Sequence, residues 1–174
     1  MPTPTVSVET YSLAGPLEAF RAAVAKSARF QLWGTTWTEA QALTHIIYNE
    51  VDENDTDHAL PRAIVRFAAE EDVERFSISG FDVAGQILFE LQSDQPITDY
   101  PPPNQNIQDQ FLTFANDAGV IRQEILKEIR DDTTGTLLGQ LTGMTCLGLG
   151  RIDYRGTEVW TAVFMIMHTG EIDV

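Results

Sequence analysis

Residues 104–131 constrain the fold more than any other stretch of this chain. Their apolar positions are Ile107, Phe111, Phe114, Ala118, Ile121, Ile125 and Ile129, with spacings of 4, 3, 4, 3, 4 and 4. That rhythm draws one apolar stripe along a helix of about 3.6 residues per turn. Pro101, Pro102 and Pro103 stop a helix from entering from upstream. Asn104 or Asn106 can cap the first free N–H groups, and Asp131, Asp132 and Gly135 close the segment. At about 1.5 Å per residue such a helix runs roughly 40 Å, enough to cross a small domain. The stripe is therefore expected to organise the core. The opposite side, with Gln108, Thr113, Arg122, Glu124 and Lys127, is left for solvent or for a neighbour.

The 174 residues suit one domain, with residues 1–12 as an extended N-terminal arm. The opening Met1-Pro2-Thr3-Pro4-Thr5 has neither the basic nor the apolar region of a signal peptide. No apolar run reaches the roughly 18 residues of a membrane span. The lone cysteine, Cys146, lies in an apolar run, where a thiol behaves as a small hydrophobe. With no internal disulfide possible, folding inside the cell is expected. The net charge is −15, from 11 basic and 26 acidic residues. Gripping the outside of a nucleic acid requires Lys and Arg to displace counterions, and this balance is poorly made for that.

Upstream, Leu17, Phe20, Val24 and Ala28 mark the apolar side of a first helix, with Pro16 in its first turn and Gly34 ending the segment. Thr38 opens a second helix, with Gln41 in capping-box position. Ile46-Ile47-Tyr48 either continues it or starts a short strand. Residues 63–69 read as a strand, and residues 85–92 as the clearest one, because Ile87, Phe89 and Leu91 alternate with Gln86, Leu88, Glu90 and Gln92. A loop over residues 94–103 follows. After the long helix, residues 144–152 form a strand that Gly148 and Gly150 weaken or bulge. Asp153-Tyr154-Arg155-Gly156 turns the chain into residues 159–167, a strand apolar on both faces and so expected inside the sheet. Residues 170–174 read as a short tail. The fold expected is α+β: a roughly four-stranded, mostly antiparallel sheet against the long helix, with two N-terminal helices.

No catalytic motif accompanies this pattern, and no catalytic, cofactor or metal residue is assigned. An EF-hand loop counted from Asp52 needs Gly and Glu where Asp57 and Ala63 stand. His45, His58 and His168 show no zinc-like spacing. Gly148-Leu149-Gly150 lacks both the third glycine and the following helix of a dinucleotide loop. Cys146 has no nucleophile elbow around it. Trp33 and Trp37 flank Gly34, where large aromatics serve either the core or an interface.

The order of elements carries a resemblance. An N-terminal helix leads to His45-Ile46-Ile47-Tyr48, and an acidic loop leads to Pro61 and the strand Arg62-Ala63-Ile64-Val65. A Gly-containing strand, the long helix and a hairpin with Trp160 complete the chain. This resembles the tail terminator and tail-completion (head–tail joining) proteins of long-tailed bacteriophages, in which an Ile-Tyr-like pair leads through a polar loop to a proline that opens the first sheet strand. The resemblance implies a structural virion protein without catalytic residues or cofactors. It would be assembled in the host cytoplasm as a homohexameric ring at the head-proximal end of the tail. Its partners would be further copies of itself, the tail tube protein and the head-completion or connector protein, with DNA passing through unbound and no membrane involved. Other phage neck or minor tail ring proteins, and a small cytosolic binding domain, are the alternatives. In a ring, the acidic loop with Glu50, Asp52, Glu53, Asp55 and Asp57 is a candidate for the lumen, where like charge lets DNA slide. The other reading of that loop is a solubilising outer surface. Trp33, Trp37, Tyr100, Pro101, Pro102 and Pro103 are candidates for a subunit or tube interface.

Overall fold

A computed structural model describes residues 14–48, 59–67, 81–97, 105–132 and 141–172. The elements run α1 (Ala14–Ala25), α2 (Ala28–Trp33), α3 (Glu39–Thr44), β1 (Ile46–Tyr48), β2 (Arg62–Phe67), β3 (Phe81–Pro96), α4 (Gln105–Asp131), β4 (Leu141–Tyr154) and β5 (Thr157–Ile172). The strands form one sheet in the order β1-β2-β3-β5-β4. β1 runs parallel to β2, and every other pair is antiparallel.

The α+β class stands, with two corrections. Among the described residues the sheet has five strands and is mixed, because Ile46–Tyr48 leaves the helical path and pairs with Ala63, Ile64 and Val65. Among the described residues there are three short N-terminal helices in place of two, because the chain breaks at Ser27. The Ser27 side chain accepts from the Phe30 N–H at 3.1 Å and caps α2 as a separate helix. The capping box at Thr38 and Gln41 is formed as expected.

The long helix matches its sequence bounds closely. Phe114, Ala118, Ile121 and Ile125 are buried along its stripe, while Ile107, Phe111 and Ile129 are partly buried beside them. It does not cover the sheet alone. α4 packs on β4 and β5, and α1 lies over β1 and β2. The opposite side of α4 is only partly free: Gln108, Thr113 and Lys127 are exposed, but Arg122 and Glu124 are engaged. Arg122 donates to the Met144 carbonyl oxygen at 2.6 and 3.0 Å. Glu124 accepts from the Ser27 hydroxyl at 2.6 Å and from the Arg29 N–H at 3.0 Å. The periodicity puts both residues on a side open to solvent or a neighbour; instead they tie α4 to β4 and to α2.

Side-chain alternation sorts the sheet. Ile87, Phe89 and Leu91 of β3 stand opposite Ile166, Phe164 and Ala162 of β5, and all six join the helix-side core. Phe89 sits at its centre, edge-on to Phe20 of α1 at 5.3 Å and stacked on Phe164 at 5.8 Å. On the other face, Arg62, Gln92 and Thr161 line up across three strands. Arg62 Nε donates to Gln92 Oε1 at 2.6 Å, while Gln92 Nε2 and the Thr161 hydroxyl both donate to Glu90 Oε1. Arg62 also lies over the Tyr154 ring. A one-residue slip of any strand would send these polar groups into the apolar face, so the chain pins the register.

The strands outrun their sequence bounds. β3 extends through Pro96, so Asp94–Pro96 is strand where a loop is expected, and β5 continues to Ile172 in place of a tail. β4 slips register twice, between Thr142 and Met144 and between Cys146 and Gly148. Gly143 at φ +67 stands in the first irregularity. Arg155 and Gly156 both adopt positive φ in the β4–β5 turn, the conformation that matches the twist of a tight hairpin.

Removing the cap at Ser27 is expected to destabilise the fold by about 1–2 kcal/mol. Ser27→Ala loses the Phe30 N–H contact and strips Glu124 of one donor. Urea unfolding should show a lower midpoint with an unchanged slope. An unchanged midpoint would mean that α1 and α2 do not depend on this junction.

Candidate functional site

Of the sequence-derived site residues, Trp33 and Trp37 fall within the described residues. Glu50, Asp52, Glu53, Asp55, Asp57, Tyr100, Pro101, Pro102 and Pro103 lie outside them, as do residues 1–12. The two tryptophans do different things. Trp37 stacks on the His45 imidazole at 3.9 Å and meets Phe30 edge-on at 5.6 Å. The His45 ring Nδ1 lies 3.1 Å from the Pro61 carbonyl oxygen, which ties this aromatic stack to the start of β2. Trp33 stacks on Phe114 of α4 with ring centroids 6.0 Å apart, and its Nε1–H donates to Asp117 Oδ2 at 3.2 Å. Both rings are thus used within the chain, and Trp33 also forms a wall of a cleft.

That cleft, of about 230 Å³, opens between α2, α4 and the end of β3. α2 contributes Arg29, Leu32 and Trp33; α4 contributes Thr113, Phe114 and Asp117; β3 contributes Ser93, Asp94 and Gln95. Its polar groups are unequally matched. The Arg29 guanidinium is committed to Asp117 Oδ1, through Nε at 2.8 Å and through Nη2. Asp117 therefore holds an arginine on one oxygen and an indole N–H on the other. Ser93 is buried, yet its hydroxyl has no hydrogen-bond partner among the described residues. The alternation that sends Ile87, Phe89 and Leu91 toward the helices sends Ser93 the same way. β3 and β5 lose register between Gln92 and Pro96, so Ser93, Asp94 and Gln95 stand outside the ladder.

The sequence did not mark these residues. Ser93 and Asp94 fall just beyond the clearest alternating stretch, and nothing local distinguishes them from a polar loop. Asp117 and Glu124 stand seven residues apart beside the apolar stripe, the one periodic sign that polar residues of α4 face a neighbouring element.

A second surface feature is the β4 edge. Residues 141–150 carry no charge, and Cys146, Leu147 and Leu149 are exposed there. The sequence reads Cys146 as a small hydrophobe in an apolar run. It is exposed on β4, which stands at one end of the sheet formed by the described residues. No group of three or more potential metal ligands occurs among the described residues, and no described helix is long and apolar enough to cross a membrane.

No protein-family model matches the sequence, and no curated protein matches it. Among solved structures, the chain is similar to one from the virion of a native gene transfer agent (GTA) particle. The two are 15% identical, the match covers 92% of this chain and 99% of that one, and the TM-score is 0.44. At that identity and score the likeness assigns this chain no role.

Proposed function

We propose that this chain is a structural virion subunit of a long-tailed phage or phage-like particle. In the specific form of the proposal it is a tail terminator, which assembles as a ring on the head-proximal end of the tail tube and meets the head connector there. The observation that carries the reading is the arrangement of β1 and β2. His45-Ile46-Ile47-Tyr48 ends in a strand, Pro61 directly precedes β2, and the two strands lie side by side. The Ile-Tyr pair and the proline before the strand are the features on which the resemblance to the terminator and tail-completion proteins rests, and this arrangement agrees with them. The long helix followed by the β4–β5 hairpin agrees with the same order of elements.

The sheet edges support assembly on physical grounds. Residues 141–150 of β4, an edge strand of the described sheet, carry no charge and offer N–H and C=O groups to another chain, whereas monomeric proteins usually blunt such edges with charge. A head-to-tail ring needs two unlike surfaces on each subunit, and the two ends of this sheet are unlike. β1 is three residues long, whereas β4 is fourteen.

Size-exclusion chromatography with light scattering tests the reading. The expected result is a closed ring, or a protein that becomes one when purified tail tube protein is added. A strict monomer at high concentration, with tube protein present, would overturn it and favour a small binding domain.

A further inference from the structure

The geometry points to the cleft between α2, α4 and the end of β3 as a receptor for one basic side chain, lysine or arginine, presented by a partner polypeptide. The inference does not rest on the ring reading. A ring that ignores basic side chains and a monomer that binds them are separable results.

The charges set the sign of the ligand. Asp94 and Asp117 bring two carboxylates to the cleft, and Arg29 brings one guanidinium already engaged by Asp117. One negative charge is left over. It resides on Asp94, whose carboxylate is exposed and makes no ion pair or hydrogen bond among the described residues. An anion would meet both carboxylates. A cation would meet Asp94 directly, and the −15 net charge of the chain would draw it in from a distance.

The hydroxyl of Ser93 supplies the second, independent sign. It is buried on the helix side of β3 with its hydrogen-bonding capacity unused. Such a group costs roughly 1–3 kcal/mol unless something reaches it, so native proteins rarely keep one without a use. Its oxygen can accept from an ammonium or guanidinium N–H. The walls favour the same ligand. Trp33 and Phe114 are aromatic walls of the cleft, against which the alkyl stem of a basic side chain can pack. The volume, about 230 Å³, is below the roughly 300–1,000 Å³ of pockets that enclose whole small molecules. It suits the end of a single side chain.

The test uses the full-length protein, ¹⁵N-labelled, titrated with Nα-acetyl-arginine amide and Nα-acetyl-lysine amide, with Nα-acetyl-glutamine amide and putrescine as comparisons. The Trp33 indole N–H signal is assigned with Trp33→Phe. The expected result is a saturable shift of that signal and of the Ser93 amide with the arginine or lysine compound, and none with the glutamine compound. Asp94→Asn should weaken the binding about three- to fivefold, what a part-exposed ion pair supplies, and added salt should weaken it in the parent protein. Ser93→Ala should weaken it without lowering stability, because the hydroxyl it removes has no partner in the free protein. Equal shifts with glutamine, no shift with either basic compound, undiminished binding by Asp94→Asn, or binding of putrescine alone would each overturn the inference.

Discussion

Phe89→Ala is expected to destabilise the protein by about 3–5 kcal/mol, the largest effect of any single truncation considered. Phe89 is fully buried at the centre of the sheet and joins both layers of the core. Phe20 reaches it from α1 with the rings at 74°, and Phe164 stacks on it from β5 at 26°. Removing the ring leaves a cavity between a helix and two strands whose registers are locked on either side. The site can therefore relax little, and the cost falls toward the upper part of the range. The two aromatic pairs add to the area term, about 0.5–1.5 kcal/mol each. Urea unfolding at one fixed protein concentration measures the loss, since self-association would add a concentration-dependent stabilisation. Leu112→Ala is the control. Leu112 is 63% exposed on α4 and should change stability by no more than about 0.5 kcal/mol. A loss below about 1 kcal/mol for Phe89→Ala would mean that this ring is not the centre of the core.

Gly34→Ala should cost about 1–3 kcal/mol, although the new group is one methyl. The reason is space and not backbone freedom. Gly34 caps α2 at φ −97°, which any residue adopts. A Cβ built there falls 1.6 Å from a carbon of the Trp37 ring. Trp37 cannot swing aside cheaply, because His45 stacks on it and Phe30 meets it edge-on. A double-mutant cycle separates this from a general weakening of the turn. In a Trp37→Ala background the cost of Gly34→Ala should largely vanish, giving a coupling of about 1–2 kcal/mol. An equal cost in both backgrounds would show that the ring does not lie over the glycine.

The parts of the fold legible in the sequence were those carried by local periodicity or local capping. Residues 104–131 announced α4 almost to the residue, because a seven-position stripe bounded by prolines and aspartates admits one local structure. Thr38 with Gln41 announced the start of α3, because a capping box is closed within four residues. The alternation around Phe89 announced β3, and the paired polar turn announced the β4–β5 hairpin. β1, the strand beyond the four expected, was less legible. Three residues, Ile46–Tyr48, carry no decisive period, and their strand identity depends on β2 lying beside them. The break at Ser27 was missed for a related reason. Helix-forming sequence on both sides, alanine-rich before Ser27, reads as one helix, and the cap that splits it draws on Glu124 from far along the chain.

The same division governs the candidate site. Trp33 was singled out as either core or interface, and the structure shows it packing within the chain on Phe114 while forming one wall of the cleft. Ser93, Asp94 and Asp117 were not singled out, since their chemistry exists only where three elements meet.

By itself, then, the sequence determined the α+β class, the long helix, the hairpin and the acidic character, all of which follow from interactions between near neighbours or from composition. Only the tertiary structure decided three further things: that Arg122 and Glu124 face inward, that Cys146 is exposed at one end of the described sheet, and that an unpartnered serine stands beside an unpaired aspartate in one cleft. Each depends on contacts between residues distant in the chain. Burial and pairing of that kind are set by the packing of whole elements, which no local pattern encodes.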